Sequence, residues 1–210
     1  MTSKPEAPAV QRNRKAILDV IEVEFRHCES VLEIGSGTGQ HAIFFARHMP
    51  RLRWQTSDLV ANHEGIHAWL QDAQLGNVKA PLALDVAQPP QIDTRFDAVF
   101  SANTAHIMNL AEVEAMFGVV THCLARDGVF CLYGPFNQGG NFTSDSNRQF
   151  DASLRGKNSA MGIRSLEDLD RFATPNGLYR KRLYAMPANN MIAVWARNDE
   201  ATGDTEGDHS

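Results

Sequence analysis

Glu33 is followed at every second position by a glycine: Gly35, Gly37 and Gly39 lie in the stretch VLEIGSGTGQH, residues 31–41. An apolar run that breaks into such a turn presents backbone N–H groups at a helix start, and glycine allows close approach to the main chain. Three ligand chemistries compete for a turn of this kind. The dinucleotide fingerprint is G-x-G-x-x-G; here the third glycine comes one residue early and position 40 is Gln. A phosphate loop of the Walker type needs G-K-[ST], and none follows. The carboxylate of Glu33 would repel a pyrophosphate, yet it suits a ligand that carries a positively charged amino group.

Two further acids extend the pattern. Asp58 ends the second apolar segment, at the distance from the glycines where a carboxylate accepts hydrogen bonds from ribose hydroxyls. Asp85 ends the third, in LALDV, where it can receive an adenine amino group with Val86 packed on the ring. Each acid alone is explained by a cap or a turn. Acids at three successive strand ends, with glycines at the first, point to S-adenosylmethionine, which has an ammonium and a sulfonium but no phosphate. The candidate cofactor-binding set is Glu33, Gly35, Ser36, Gly37, Gly39, Asp58, Leu59, Asp85, Val86 and Asn103.

Methyl transfer from a sulfonium is an in-line displacement, so the protein must align the partners and exclude water. A base is needed only where the acceptor must lose a proton. The candidate catalytic residues are His106, in SANTAHI at the end of the fourth strand, and Asp151. A histidine bonded to a loop backbone is the alternative for His106. Asn147, Asp151 and Arg155 share one face if their segment is helical. A plain Asp151–Arg155 salt bridge competes with a substrate role there. Tyr133 at the end of the fifth strand, Asn189 in the turn PANN, and Asn13 in a possible N-terminal lid complete the candidate substrate-binding set with Asn147 and Arg155. Core packing, a turn role and simple helix packing are their respective alternatives. His41 reads as a first-turn residue of a helix. His63 and His67 stand four apart, but no Glu or Cys completes a metal set, so no metal is expected.

These residues need a frame that brings strand ends together. Apolar periodicity predicts helices over 12–26, 40–49, 64–74 (stopping near Gly76) and 110–125, and strands over 30–34, 52–58, 80–86, 96–103 and 128–134. A final pair of strands, 178–186 and 190–198, is joined by PANN. Alternating strands and helices predict a parallel α/β sheet covered on both faces, with one antiparallel member from the closing pair. Residues 137–162, rich in Gly, Asn and Ser, interrupt the rhythm and read as an inserted lid.

The 210 residues suffice for one domain, expected over 1–198 with residues 1–29 as an N-terminal helix or lid. Five acids and no Lys or Arg fall in 199–210, which reads as a disordered acidic tail. The remainder carries 20 basic and 20 acidic residues, a neutral body that argues against a nucleic-acid partner. Residues 148–182 are locally basic, with eight Lys/Arg against four Asp/Glu, a bias that suits an anionic small substrate or merely a solvated face. No apolar window spans a membrane and no secretory leader is apparent, so a cytoplasmic enzyme with a small-molecule substrate is expected. Cys28, Cys123 and Cys131 read as buried free thiols. The oligomeric state is not indicated.

The order E-x-G-x-G-x-G, Asp58, Asp85 and FDAVFSAN resembles the class I S-adenosylmethionine-dependent methyltransferases over about residues 30–135. The segments RNRKAIL, GSGTGQHA, WQTSD, NTAHI, LYGPF, SNRQFDASLR, MGIRSLEDL and MPANNMIAVW resemble a narrower methyltransferase-like family, domain of unknown function 938. This resemblance implies a Rossmann-like seven-stranded sheet, mostly parallel with one antiparallel strand. It implies Glu33 and the three glycines at the methionine part, Asp58 at the ribose and Asp85 at the adenine. It implies no particular substrate. The Asn-Pro-Pro-Tyr tetrapeptide of many methyltransferases acting on bases and glutamine is missing. Two alternatives stand beside the enzyme: a non-catalytic S-adenosylmethionine-binding module, and a nicotinamide-type Rossmann enzyme. A protein-methylating enzyme is a further variant.

Overall fold

The computed structural model describes residues 4–197, so the acidic tail expected over 199–210 lies outside the described residues. The first helix, α1 (Pro8–Glu24), starts on a proline, whose missing N–H costs nothing in a first turn. It buries Val10, Ile17, Leu18 and Ile21 on one side. Next come β1 (Ser30–Ile34), α2 (Gln40–His48), β2 (Arg53–Asp58), α3 (His63–Ala73) and β3 (Val78–Ala83). They are followed by β4 (Phe96–Ala102), α4 (Leu110–Cys123) and β5 (Leu124–Gly134).

A short excursion holds β6 (Phe136–Asn137), α5 (Asp145–Lys157) and β7 (Arg164–Ser165). The chain ends in α6 (Leu166–Ala173), β8 (Leu178–Met186) and β9 (Asn190–Arg197). The main sheet has seven strands in the order β3-β2-β1-β4-β5-β9-β8. β9 runs antiparallel to both neighbours, and the other contacts are parallel. One core, with Leu32, Phe117, Phe130 and Trp195, lies between the sheet, α4 and α6. The other, with Ile21, Phe45, Trp54 and Phe100, lies under α1, α2 and α3. The central strands are therefore apolar on both sides, which is why they read as continuous hydrophobic runs.

Strand order reverses between β1 and β4, so the carboxyl ends of β1, β2 and β4 converge on one edge. Three expectations shift. β3 ends at Ala83 rather than 86, because Asp85 turns back to accept from the Ala87 N–H at 2.9 Å. Its ladder still extends one bond further, from Leu84 N–H to the Asp58 carbonyl at 3.0 Å. The stop of α3 falls to Gln74, in the left-handed region at φ 50°, not to Gly76. Within 137–162 the chain forms the thirteen-residue α5, capped by the Ser144 hydroxyl accepting from Asn147 N–H. The excursion is pinned at its neck by the parallel pairs Phe136–Arg164 and Asn137–Ser165. No helix among the described residues is long and apolar enough to cross a membrane.

Candidate functional site

All three turn glycines adopt positive φ, at 73° for Gly35, 58° for Gly37 and 86° for Gly39. They differ in their surroundings. A Cβ on Gly35 would fall 2.5 Å from Thr104 Cγ2, and one on Gly39 would fall 3.1 Å from Ile66 Cα. Those two glycines let the turn pack on β4's exit and on α3. A Cβ on Gly37 would meet nothing within 4 Å, so this glycine faces open space. The N–H groups of Gly35 and Ser36 both donate to the Ser57 carbonyl, at 3.0 and 2.9 Å, tying the turn to the end of β2.

Asp58 holds the same turn from its side chain. Its Oδ2 accepts from Gly37 N–H at 2.6 Å, and its Oδ1 accepts from Leu59 N–H and Asn62 Nδ2, both at 2.7 Å. The carboxylate is thus fixed at the mouth of the turn, with Leu59 exposed next to it. His63 joins from α3, its Nε2 3.0 Å from the Asp58 carbonyl. His67 packs edge-to-face on His63, and among the described residues no three His, Cys, Asp or Glu gather to hold a metal.

Glu33 lies under the turn, only 2% exposed. Its Oε2 accepts from Ser36 Oγ at 2.9 Å and Trp54 Nε1 at 3.0 Å. Burial outweighs these two bonds and pushes the Glu33 carboxyl up to about 7, so it is half-protonated near neutrality. The structure brings Glu33, Ser36, Gly37 and Asp58 together. Asp85 and Val86 sit beyond β3, Asp85 exposed in its own turn and Val86 buried in the core cluster. Asn103 follows β4 with φ 60°, a left-handed conformation that asparagine tolerates better than most residues, and its N–H donates to the Tyr133 carbonyl at 2.9 Å.

Gln40 opens α2. Its Oε1 accepts from Ala7 N–H at 2.6 Å and from Thr38 Oγ1 at 3.1 Å. Its Nε2 is a buried donor with no partner among the described residues. His41, next in line, donates from Nε2 to Asn13 Oδ1 at 2.8 Å, and Asn13 lies beside the buried Tyr133 hydroxyl, whose ionised form it favours. Asn13 thus stands between Tyr133 and a histidine that sequence reasoning set aside. The signal was its place directly after the glycine turn, on the buried side of α2.

His106 is buried beside Gly134, with Phe150 of α5 edge-on to its ring at 5.3 Å. No described residue hydrogen-bonds its imidazole. Burial first, and the nearby Arg164 second, lower it to about 4, so it is a neutral acceptor at pH 7. His41 is lowered to about 3, again chiefly by burial. Both histidines protonate near pH 6.5 in the unfolded chain but stay neutral when folded, so acid favours unfolding from pH 6.5 down to about 4. Each contributes a slope of about 1.4 kcal/mol per pH unit in that window. Thermal melts from pH 4 to 7 should show His41→Gln losing stability less steeply than the wild type. Parallel curves would overturn the assignment.

Asp151 forms the salt bridge with Arg155 that competed with a catalytic role. Its Oδ2 accepts from Arg155 Nε at 2.7 Å and its Oδ1 from Ile163 N–H at 2.7 Å. With one bond on each oxygen, it braces α5 against the 162–163 backbone. Arg155 belongs to the same brace, packed on Gly162. Asn147 and Asn189 also meet each other: Asn147 Nδ2 donates to the Asn189 carbonyl at 3.0 Å. Together with the bond from Asn189 Nδ2 to Ser146 Oγ at 3.1 Å, this fastens α5 to the β8–β9 turn. Arg164 was missed by sequence reasoning. It is buried, and its guanidinium donates to the carbonyls of Ala105, Met108 and Ala160, clasping the turn that carries His106. A cleft of about 560 Å³ among Glu24, Arg26, His27, Asp97 and Arg182 opens at the opposite, amino edge of the sheet, away from these groups.

A family model described as "Protein of unknown function (DUF938)" matches residues 4–197. Among solved structures, an O-methyltransferase family protein from Burkholderia thailandensis superposes with a TM-score of 0.77 at 15% identity, over 90% of this chain and 57% of that one. A putative O-methyltransferase from Nostoc punctiforme gives 0.75 at 14% identity, over 88% and 55%. CalO1, a methyltransferase in calicheamicin biosynthesis solved in its SAH-bound form, gives 0.66 at 16% identity, over 80% and 48%. The chain spans about half the length of these structures. At such identities the likeness shows the fold.

Proposed function

The chain belongs to the family described as Protein of unknown function (DUF938), and from its class I methyltransferase fold we propose that it is an S-adenosylmethionine-dependent methyltransferase acting on a small molecule. The observation that carries this reading is the pairing of Asp58 with the glycine turn. One carboxylate holds Gly37 N–H at 2.6 Å while Gly37 itself faces open space. That cradle fits a ligand lying along the turn with a ribose at Asp58. Two further features fit the same ligand and not a pyrophosphate. Glu33 places a titratable acid beneath the turn, and residues 31–46 contain no Lys or Arg. The unpartnered Gln40 Nε2 is a donor of the kind an amino-acid carboxylate accepts.

When bound, S-adenosylmethionine supplies a methyl group made electrophilic by its sulfonium. Glu33 would hold its ammonium, Asp58 its ribose hydroxyls, and the loop after β3, with Asp85 and Val86, its adenine. Asn103, held in a left-handed turn after β4, would wall the site beside the methyl group. His106, neutral at pH 7 and with no hydrogen-bond partner among the described residues, is the acceptor for the proton the substrate loses, a weak base because burial and Arg164 disfavour its charged form in the free protein. The bound cofactor would supply its methyl carbon to the acceptor's lone pair, with the thioether as leaving group. α5 roofs His106 through Phe150 and limits water. α1, through Asn13, holds Tyr133 at the rim.

Isothermal titration of the full chain with S-adenosylmethionine, S-adenosylhomocysteine and NADH tests the reading. The two adenosyl ligands should bind in the micromolar range and NADH should not. A folded protein that ignores both adenosyl ligands at millimolar concentration would sink the proposal.

A further inference from the structure

Arg164 carries a buried charge without a counter-ion. The residue is 7% exposed. Its Nε donates to the Ala105 carbonyl at 3.0 Å, and its Nη2 donates to the carbonyls of Met108 and Ala160. Those contacts use three of the five guanidinium N–H donors. The two on Nη1 have no partner among the described residues and are not sealed from solvent, and no carboxylate there lies within ion-pair distance of this guanidinium. The acids in its neighbourhood are engaged elsewhere. Asp151 is held by Arg155, Asp168 pairs with Arg171 at 2.9 Å, and Glu112 closes the capping box of α4 on Asn109 N–H. Arg155, the other charge nearby, is a further cation.

Carbonyls satisfy donors but bring no formal negative charge, and a buried cation left without one is costly. A chain that needed only a brace for the 105–108 turn could use neutral donors. The guanidinium stands where its two anchoring carbonyls, Ala105 and Met108, flank His106. Above that histidine lies Phe150, 41% exposed and edge-on to the ring, with Ile107 half exposed in the same turn. A cation with spare donors beside apolar surface matches a molecule with an apolar body and an oxyanion head.

We propose that Arg164 anchors an oxyanion, a carboxylate or a phosphate monoester, of the methyl acceptor next to His106. This rests on the methyltransferase reading and narrows its substrate to an anion. The arginine is a positioning residue: the planar guanidinium fixes the head of the acceptor and thereby sets which atom reaches His106.

The test uses the full chain saturated with S-adenosylhomocysteine, titrated with benzoate in one arm and phenyl phosphate in the other. Calorimetry gives affinity, and ¹⁵N-detected arginine side-chain signals report on Arg164 directly. At least one probe should saturate in the millimolar range and shift the Arg164 resonance. Arg164→Met should weaken it at least about fivefold, and Arg164→Lys should recover part of that loss. If neither probe saturates by tens of millimolar, or a bound probe leaves the Arg164 signal unmoved, the inference is overturned. The wild-type spectrum decides the matter even where Arg164→Met does not fold. Wild-type protein that fails to bind S-adenosylhomocysteine refutes the methyltransferase reading; binding of it without either anion refutes the anchor alone.

Discussion

Replacing Asp58 by alanine is expected to weaken binding of S-adenosylhomocysteine by about a hundredfold or more. The carboxylate has two duties that a single substitution removes together. It accepts from Gly37 N–H, Leu59 N–H and Asn62 Nδ2, which sets the curvature of the turn before any ligand arrives. It also presents lone pairs where the ribose hydroxyls are proposed to donate. Hydrogen bonds to a charged group are worth about 1.5–3 kcal/mol each, so losing two of them accounts for the hundredfold. Asp58→Asn should be nearly as damaging. One of its two positions would turn a donor toward Gly37 N–H or Leu59 N–H, each of which needs an acceptor. A 2′-deoxyribose analogue separates the duties. Wild type should discriminate against it, whereas Asp58→Ala should bind both compounds alike. If Asp58→Ala binds S-adenosylhomocysteine within about threefold of wild type, Asp58 is only a turn brace.

Some of this site was legible in the sequence because it is local. Glycines spaced by two after an apolar run announce a strand, a positive-φ turn and a helix, and β1 runs Ser30–Ile34 as the pattern predicts. The seven strands follow from hydrophobic runs, and the short PANN link accounts for the antiparallel pairing of β8 and β9. What escaped was set by partners far along the chain. Asp151 looks identical on a helical wheel whether it faces a substrate or the N–H of Ile163, twelve residues on. Arg164 reaches the His106 turn through carbonyls 59 and 56 residues earlier, and a carbonyl has no sequence signature. Asn147 and Asn189 were singled out as separate binders, and the structure spends them on each other across 42 residues. Asp85 shows the converse. A local Asx turn to Ala87 ended the strand early, although an acid after an apolar run reads the same in either case.

Glu33 gives the other large effect, because its ionisation is opposed by burial in the free protein and favoured by a cationic ligand. With the carboxyl at about 7, the acceptor of the proposed ammonium is half-protonated at neutral pH. Binding should therefore release about half a proton at pH 7, read as a dependence of the calorimetric enthalpy on buffer ionisation. Affinity for S-adenosylmethionine should rise about tenfold between pH 6 and pH 8 as the carboxylate forms. The stability of the free protein moves the opposite way. The folded state keeps this proton up to about pH 7, while the unfolded chain loses it near 4.5, so folding stability falls as pH rises across that interval. Above it, the buried carboxylate costs on the order of 3 kcal/mol.

Glu33→Gln removes that cost and keeps an acceptor for Ser36 Oγ and Trp54 Nε1. It should melt several degrees higher than wild type at pH 8 and show a shrinking advantage toward pH 5. Its affinity for S-adenosylmethionine should be lower and flat with pH. A variant both more stable and weaker-binding would show that the chain keeps an unfavourable buried acid for its ligand. If Glu33→Gln instead binds as tightly as wild type at pH 8, the acid under the turn serves the fold and the ammonium is held elsewhere.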